Sequence, residues 1–128
     1  MKEIMAVIRM NMISKTKEAL LDAGFPSISC RKVTGRGKKK VDFSLVEDLL
    51  SGGNESMSST VAESISEGHR LIPKRLITIV AKDDDIKKIV EIIIAVNQKG
   101  NPGDGKIFVM PVSDSIRVRT GETGEIAI

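Results

Sequence analysis

The chain has no tryptophan, no tyrosine and only three phenylalanines. Its core must therefore be built from Ile, Val, Leu, Ala and Met. It has one cysteine, Cys30, and one histidine, His69. No disulfide can form within the chain, and a zinc site of Cys and His is excluded. No metal site is expected from side chains, and a reducing, cytoplasmic compartment is. Cys30 has no activating partner near it in sequence and reads as a small buried residue; His69 reads as a surface loop residue. No stretch approaches the roughly 20 apolar residues of a membrane span, so no stable membrane insertion is expected. Glu3 and Arg9 interrupt the apolar N-terminal residues, which argues against a signal peptide. The net charge of +3 is mild. It is unevenly spread, because Arg31, Lys32, Arg36, Lys38, Lys39 and Lys40 crowd together. Nucleic acid is not the expected partner of this basic run, since no aromatic residue stands ready to stack on bases and no recognition helix is evident.

What is present fits one domain, residues 1–128, with an ordinary hydrophobic fraction of 41%. Residues 3–10 are short and apolar and predict a strand. Ser14 is placed to cap a helix over Lys15–Ala23, which Gly24 and Pro26 end. Ile28–Thr34 predicts a second strand. Gly35–Pro73 predicts a long loop, glycine-rich and basic at its start and small and polar in its middle, with a short helix over Phe43–Leu50. Leu76–Ala81 is a β-branched run, a buried strand. Asp83, Asp84 and Asp85 open a helix with negative charge at its positive end, and Ile86, Ile89, Val90, Ile93 and Ile94 give it an apolar stripe. Lys106–Val112 predicts a fourth strand and Ile116–Arg119 an extended segment. The order β-α-β, long loop, β-α-β is that of the ferredoxin-like α+β fold: a four-stranded antiparallel sheet with two helices on one face. The bare face, rich in Ile and Val, should be covered by oligomerisation.

Two late segments carry the functional signal. Gly103-Asp104-Gly105-Lys106 offers backbone N–H groups in a tight turn, plus a lysine. Arg117 and Arg119, at i and i+2 of an extended segment, would share one face. Two guanidinium groups side by side repel unless an anion lies between them. Each has a plainer reading: a simple turn for the first, where Asp104 would cap backbone donors, and a solvated edge strand for the second. Read together they suggest a bound polyphosphate. No residue is evident to position water for its hydrolysis, so an enzyme is not expected, the rival being a slow ATPase using Lys106, Arg117 and Arg119.

These residues resemble a family. Gly103–Val109 followed by Ile116–Glu122 is similar to the C-terminal half of PII nitrogen-regulatory proteins. The opening Met1–Gly24, the Gly35-x-Gly37 start of the long loop and Leu71-Ile72-Pro73-Lys74 at its end are similar as well. The resemblance implies a trimer that binds ATP or ADP in clefts between subunits, with 2-oxoglutarate held beside the phosphates through Mg²⁺. It implies a long loop, the T-loop, spanning about 36–73, that engages or releases a target. By position, Gly35, Gly37, Lys38, Gly103, Asp104, Gly105, Lys106, Arg117 and Arg119 would meet phosphates, one of the arginines coming from a neighbouring subunit. Ser29 and Val80 would lie on the adenine side. Lys39, Lys40 and Lys74 would serve 2-oxoglutarate. Lys39 replaces the family's glutamine and, when charged, cannot ligate Mg²⁺. Either the metal geometry differs, or Lys39 meets the carboxylate directly, or the site is lost. Without tyrosine, control by tyrosine uridylylation is excluded.

The T-loop is longer than usual and resembles that of the nitrogenase-linked branch of the family, in which paired PII-like proteins inhibit nitrogenase when fixed nitrogen is plentiful. The chain resembles the longer-loop member of that pair. The implied partners are a nitrogenase component, further copies of the chain and a PII-like paralogue. Phe43, Leu45, Val46, Leu49, Leu50 and Met57 are the candidate target contacts, with packing inside the loop as the alternative. Regulation of an ammonium channel or of a nitrogen-assimilation enzyme is the alternative output.

Overall fold

The computed structural model describes residues 1–37 and 71–128. Strand β1 (Lys2–Arg9) buries alternate residues Ile4, Ala6 and Ile8, the period of two that a half-covered strand requires. A 3₁₀ turn (Met10–Met12) leads directly into helix α1 (Ile13–Asp22). Ser14 is therefore not the cap that was expected. Helical backbone has already begun ahead of it, and Met12 occupies the N-cap without a side-chain bond. The helix ends as expected. Gly24 N–H donates to Leu21 O at 3.0 Å and Phe25 N–H to Leu20 O at 2.8 Å, a Schellman closure that also brings Phe25 against the core.

Strand β2 (Ser29–Gly35) and strand β3 (Ile72–Ala81) pair antiparallel from Ser29↔Thr78 to Gly35↔Ile72. Strand β3 thus begins at Ile72, inside the span expected to be loop. Pro73 has no N–H to give to a ladder, but it lies beyond the pairing of β3 with β1, which starts at Lys74, so β2 alone accommodates it. Helix α2 (Asp83–Asn97) carries Asp83, Asp84 and Asp85 in its first turn. It packs Ile86, Ile89, Val90 and Ile93 on the core, while Ile94 stays 42% exposed at the margin of the stripe. Strand β4 (Gly105–Pro111) pairs with β1.

The sheet order is β2-β3-β1-β4, every pair antiparallel. Both helices lie on one face, over a core of Ile4, Ile8, Leu20, Ile77, Ile89 and Ile93, each contributing about 2 kcal/mol by burial. Between the helices Asn97 Nδ2 donates to Thr16 Oγ1 at 3.1 Å and to Ile93 O at 2.9 Å, so a buried polar pair joins α1 to α2. This is the expected ferredoxin-like architecture. The other face is open: Met5, Thr78 and Phe108 share one row across it, and Phe108 is 49% exposed.

Two further expectations change. Cys30 is exposed, because β2 is an outer strand and contributes nothing to the buried cluster. Ile116–Arg119 is not an extended strand. Ile116 makes an isolated bridge to Thr123 and the chain turns between them, with Gly121 N–H donating to Arg117 O at 2.7 Å. No neighbouring strand is there to hold it extended. Lys38, Lys39, Lys40, the expected helix at 43–50, His69 and the candidate contacts Phe43, Leu45, Val46, Leu49, Leu50 and Met57 lie outside the described residues.

Candidate functional site

The strand register sorts the candidate residues between the two ends of the sheet. One end holds the close of β1, the start of β4 and the base of the β2–β3 hairpin. Arg9 pairs with Lys74 across β1 and β3, and Val7 with Lys106 across β1 and β4, so all three cations belong to the open face at this end. Gly35 closes β2 here and Gly37 follows it.

The loop 98–104 is fixed against this end by its own aspartate. Asp104 Oδ2 accepts from the backbone N–H groups of Lys99, Gly100 and Asn101 at 2.8, 2.9 and 3.2 Å. Asp104 Oδ1 is paired with Arg9 Nη1 at 2.6 Å. Arg9 first, and these N–H donors after it, hold the Asp104 carboxyl down at about 2. Asp104 therefore acts as the clamp of the loop, and Arg9 and Lys74 flank it. Lys74 Nζ donates to Gly103 O at 3.0 Å. Burial, and then the Arg9 charge, lower the Lys74 pKa, with Asp104 opposing them.

The two glycines differ in what they allow. At Gly105, with φ +130°, a Cβ would stand 2.3 Å from Val7 O, so glycine is demanded by the strand beside it. At Gly103 a Cβ would stand 3.4 Å from Arg9 Nη2 and 3.6 Å from Lys74 Nζ, so glycine leaves the approach to two cations clear. Three cations against one clamped carboxylate leave this end of the sheet net positive, a setting suited to an anion.

Ser29, at the start of β2, pairs with Thr78 in the middle rows of the sheet, and Val80 lies toward the other end on the same open face of β3. The C-terminal segment lies here too. Val112 N–H donates to Met1 O at 3.2 Å, and Glu125 approaches the terminal ammonium at 3.9 Å. Arg117 and Arg119 sit in the turn of this segment. Arg117 Nη1 is paired with Glu122 at 2.6 Å and its Nη2 donates to Ile126 O at 2.8 Å. Arg119 is exposed. Strand β4 separates the ends by about 20 Å. One chain therefore brings Lys74 to the Gly103–Lys106 loop, with Gly35 and Gly37 at the same end of the sheet but on its opposite edge. It holds Val80, Arg117 and Arg119 toward the other end, with Ser29 between the two ends in the Thr78–Met5–Phe108 row. Among the described residues, no group of three or more His, Cys, Asp or Glu could hold a metal ion.

Arg9 escaped the sequence reading because its partner is 95 residues away. The available signal was a charged residue closing an apolar strand. Glu122 escaped it because the segment was read as extended rather than turned.

The family model described as Nitrogen regulatory protein P-II matches residues 1–122. The chain belongs to the PII family. Among curated PII relatives it is 47% identical to the "Nitrogen fixation nifHD region GlnB-like protein 2" of Methanothermococcus thermolithotrophicus, over 100% of this chain and 98% of that one. It is 44% identical to the protein of the same description from Methanobacterium ivanovii, over 100% and 99%. Its fold matches a crystal structure of Arabidopsis thaliana PII bound to citrate, with a TM-score of 0.70 and 31% identity over 99% of this chain and 91% of that one. As a PII protein it is a regulator of nitrogen metabolism and not an enzyme. No described helix is long and apolar enough to cross a membrane.

Proposed function

We propose that this PII protein is a cytoplasmic nitrogen-status sensor that binds ATP or ADP, responds to 2-oxoglutarate and restrains nitrogenase directly when fixed nitrogen is abundant. The observation that carries the ligand reading is the division of the site between the sheet ends. The glycine loop with Arg9, Lys74 and Lys106 offers a phosphate cradle, while the arginine turn lies about 20 Å away, beyond the far end of β4 on the same chain. A nucleotide that needs both must lie between two copies, with the loop of one facing the arginine turn of the next. The open apolar face supplies a surface for a trimer that would place them so.

Backbone N–H groups and Lys106 would hold the phosphates, and Mg²⁺, where present, would be held mainly by phosphate oxygens. Lys74 and Arg9 present cationic ends next to Gly103, suited to a second anion such as the 2-oxoglutarate carboxylate, with Lys39 and Lys40 of the T-loop as further candidates. The nitrogenase target is supported by the relatives, which are named for the nifHD region and align over the whole chain. Differential affinity of the ligands for two T-loop states would couple sensing to output.

Calorimetric titration of 2-oxoglutarate into the protein with Mg-ATP, and separately with ADP, tests the sensor. Saturable binding with ATP alone is expected. The same protein added to purified nitrogenase should inhibit substrate reduction, and 2-oxoglutarate with ATP should relieve the inhibition. Nitrogenase turnover unaffected under every ligand condition would remove the proposed target.

A further inference from the structure

The two arginines of the C-terminal turn stand in different surroundings. Arg119 is exposed and makes no hydrogen bond among the described residues. Arg117 is held twice, by the Glu122 carboxylate at 2.6 Å and by Ile126 O at 2.8 Å. The other acids of the segment are committed elsewhere. Asp114 Oδ1 accepts from Ser115 N–H at 2.8 Å and Gly124 N–H at 3.0 Å, and Glu125 faces the terminal ammonium. Glu122 is therefore the acid whose charge falls on Arg117.

From this geometry we infer that Glu122 is an internal counter-ion that an incoming phosphate must displace, and so a determinant of anion affinity at the arginine turn. The inference rests on the nucleotide reading above and adds to it a residue that opposes binding. A phosphate oxygen that takes Arg117 competes with a carboxylate already in place and is repelled by it. Arg119 carries no such opposition. Phosphate should therefore engage Arg119 at full strength and Arg117 only at the expense of the Glu122 pair.

The turn does not depend on that charge. Arg117 N–H donates to Glu122 O at 2.9 Å, Gly121 N–H to Arg117 O at 2.7 Å and Gly124 N–H to Ser115 O at 2.9 Å. The Thr120 hydroxyl donates to Glu122 Oε2 at 3.1 Å, a bond that a glutamine oxygen would also accept. With 34% of the Arg117 side chain and 45% of the Glu122 side chain exposed, solvent screens the pair, and its effect is modest.

Mg-ATP titrated calorimetrically into the full chain and its variants tests this. Glu122→Gln should tighten ATP binding about two- to fivefold, Glu122→Asp should stay near the parent value, and adding Arg117→Ala to Glu122→Gln should abolish the gain. A second arm leaves Glu122 untouched: Arg119→Ala should lose more affinity than Arg117→Ala. Unchanged or weaker binding by Glu122→Gln, or a larger loss from Arg117→Ala, overturns the inference while leaving the nucleotide reading intact. No ATP binding by the parent protein overturns both.

Discussion

The two ends of the sheet solve the problem of presenting positive charge in opposite ways. At the glycine-loop end one carboxylate, Asp104, collects three backbone N–H groups and Arg9, and the loop is fixed against two strands. At the arginine-turn end the segment is knitted to itself through Asp114, Glu122 and the bridge Ile116↔Thr123. The first end offers cations around a clamped loop, the second side chains on a turn. The lesson is that acidic residues organise both halves of the proposed anion site, and that their placement decides which cations they hold.

The strongest test of this division is complementation. Lys106→Ala and Arg119→Ala should each abolish high-affinity ATP binding. Co-assembled from equal amounts, the two variants should regain about a quarter of the sites, those that join an intact loop to an intact arginine turn. ATP stoichiometry by calorimetry gives the answer, and no recovery would mean that the halves are not shared between copies.

The next test compares glycines. Gly105→Val should destabilise the chain by on the order of 3 kcal/mol, because the added atoms meet Val7 O and the φ of +130° is strained. Gly121→Ala, at φ +72° with nothing within 4 Å of its Cβ, should cost only about 1 kcal/mol. Urea unfolding separates them, and equal losses would erase the contrast between a packed end and an open one.

The clamp itself titrates. The folded pKa of Asp104, about 2, lies below the ordinary 3.8, so its stabilisation is complete above pH about 4 and is lost as pH falls toward 2. Asp104→Asn should lower the urea midpoint at pH 7, and the gap from the parent should close on acidification. A gap that is constant across this range would deny the ion pair its role. The smallest effect is at the other end, where Glu122→Gln should change stability by no more than about 0.5 kcal/mol while altering ATP affinity.

Much of this architecture was legible in the sequence. The alternation of β1, the isoleucine stripe of α2 and the Gly24 stop of α1 are local patterns, and folding honours them because each points the same residues at one core. What was not legible depended on partners remote in sequence. Strand β3 extends back to Ile72 because β2 is there to pair with it. Ile116–Arg119 turns because no strand lies beside it. Ser14 lost its cap role to a 3₁₀ turn that local propensity did not announce. The glycine loop and the two arginines stood out as charged or flexible exceptions to the apolar pattern, but the distance between them and the part taken by Arg9 follow only from the register, and the part taken by Glu122 only from the turn closed by Ile116↔Thr123.

The Asp104 clamp also bears on the thermodynamics of recognition. The backbone of residues 99–101 is already ordered by folding, so a ligand arriving at that end has little chain entropy to remove. Association there should proceed without a slow rearrangement, and its heat should reflect hydrogen bonding and displaced water. In Asp104→Asn the same contacts would have to be organised at the moment of binding, and the loss would appear as an entropic penalty.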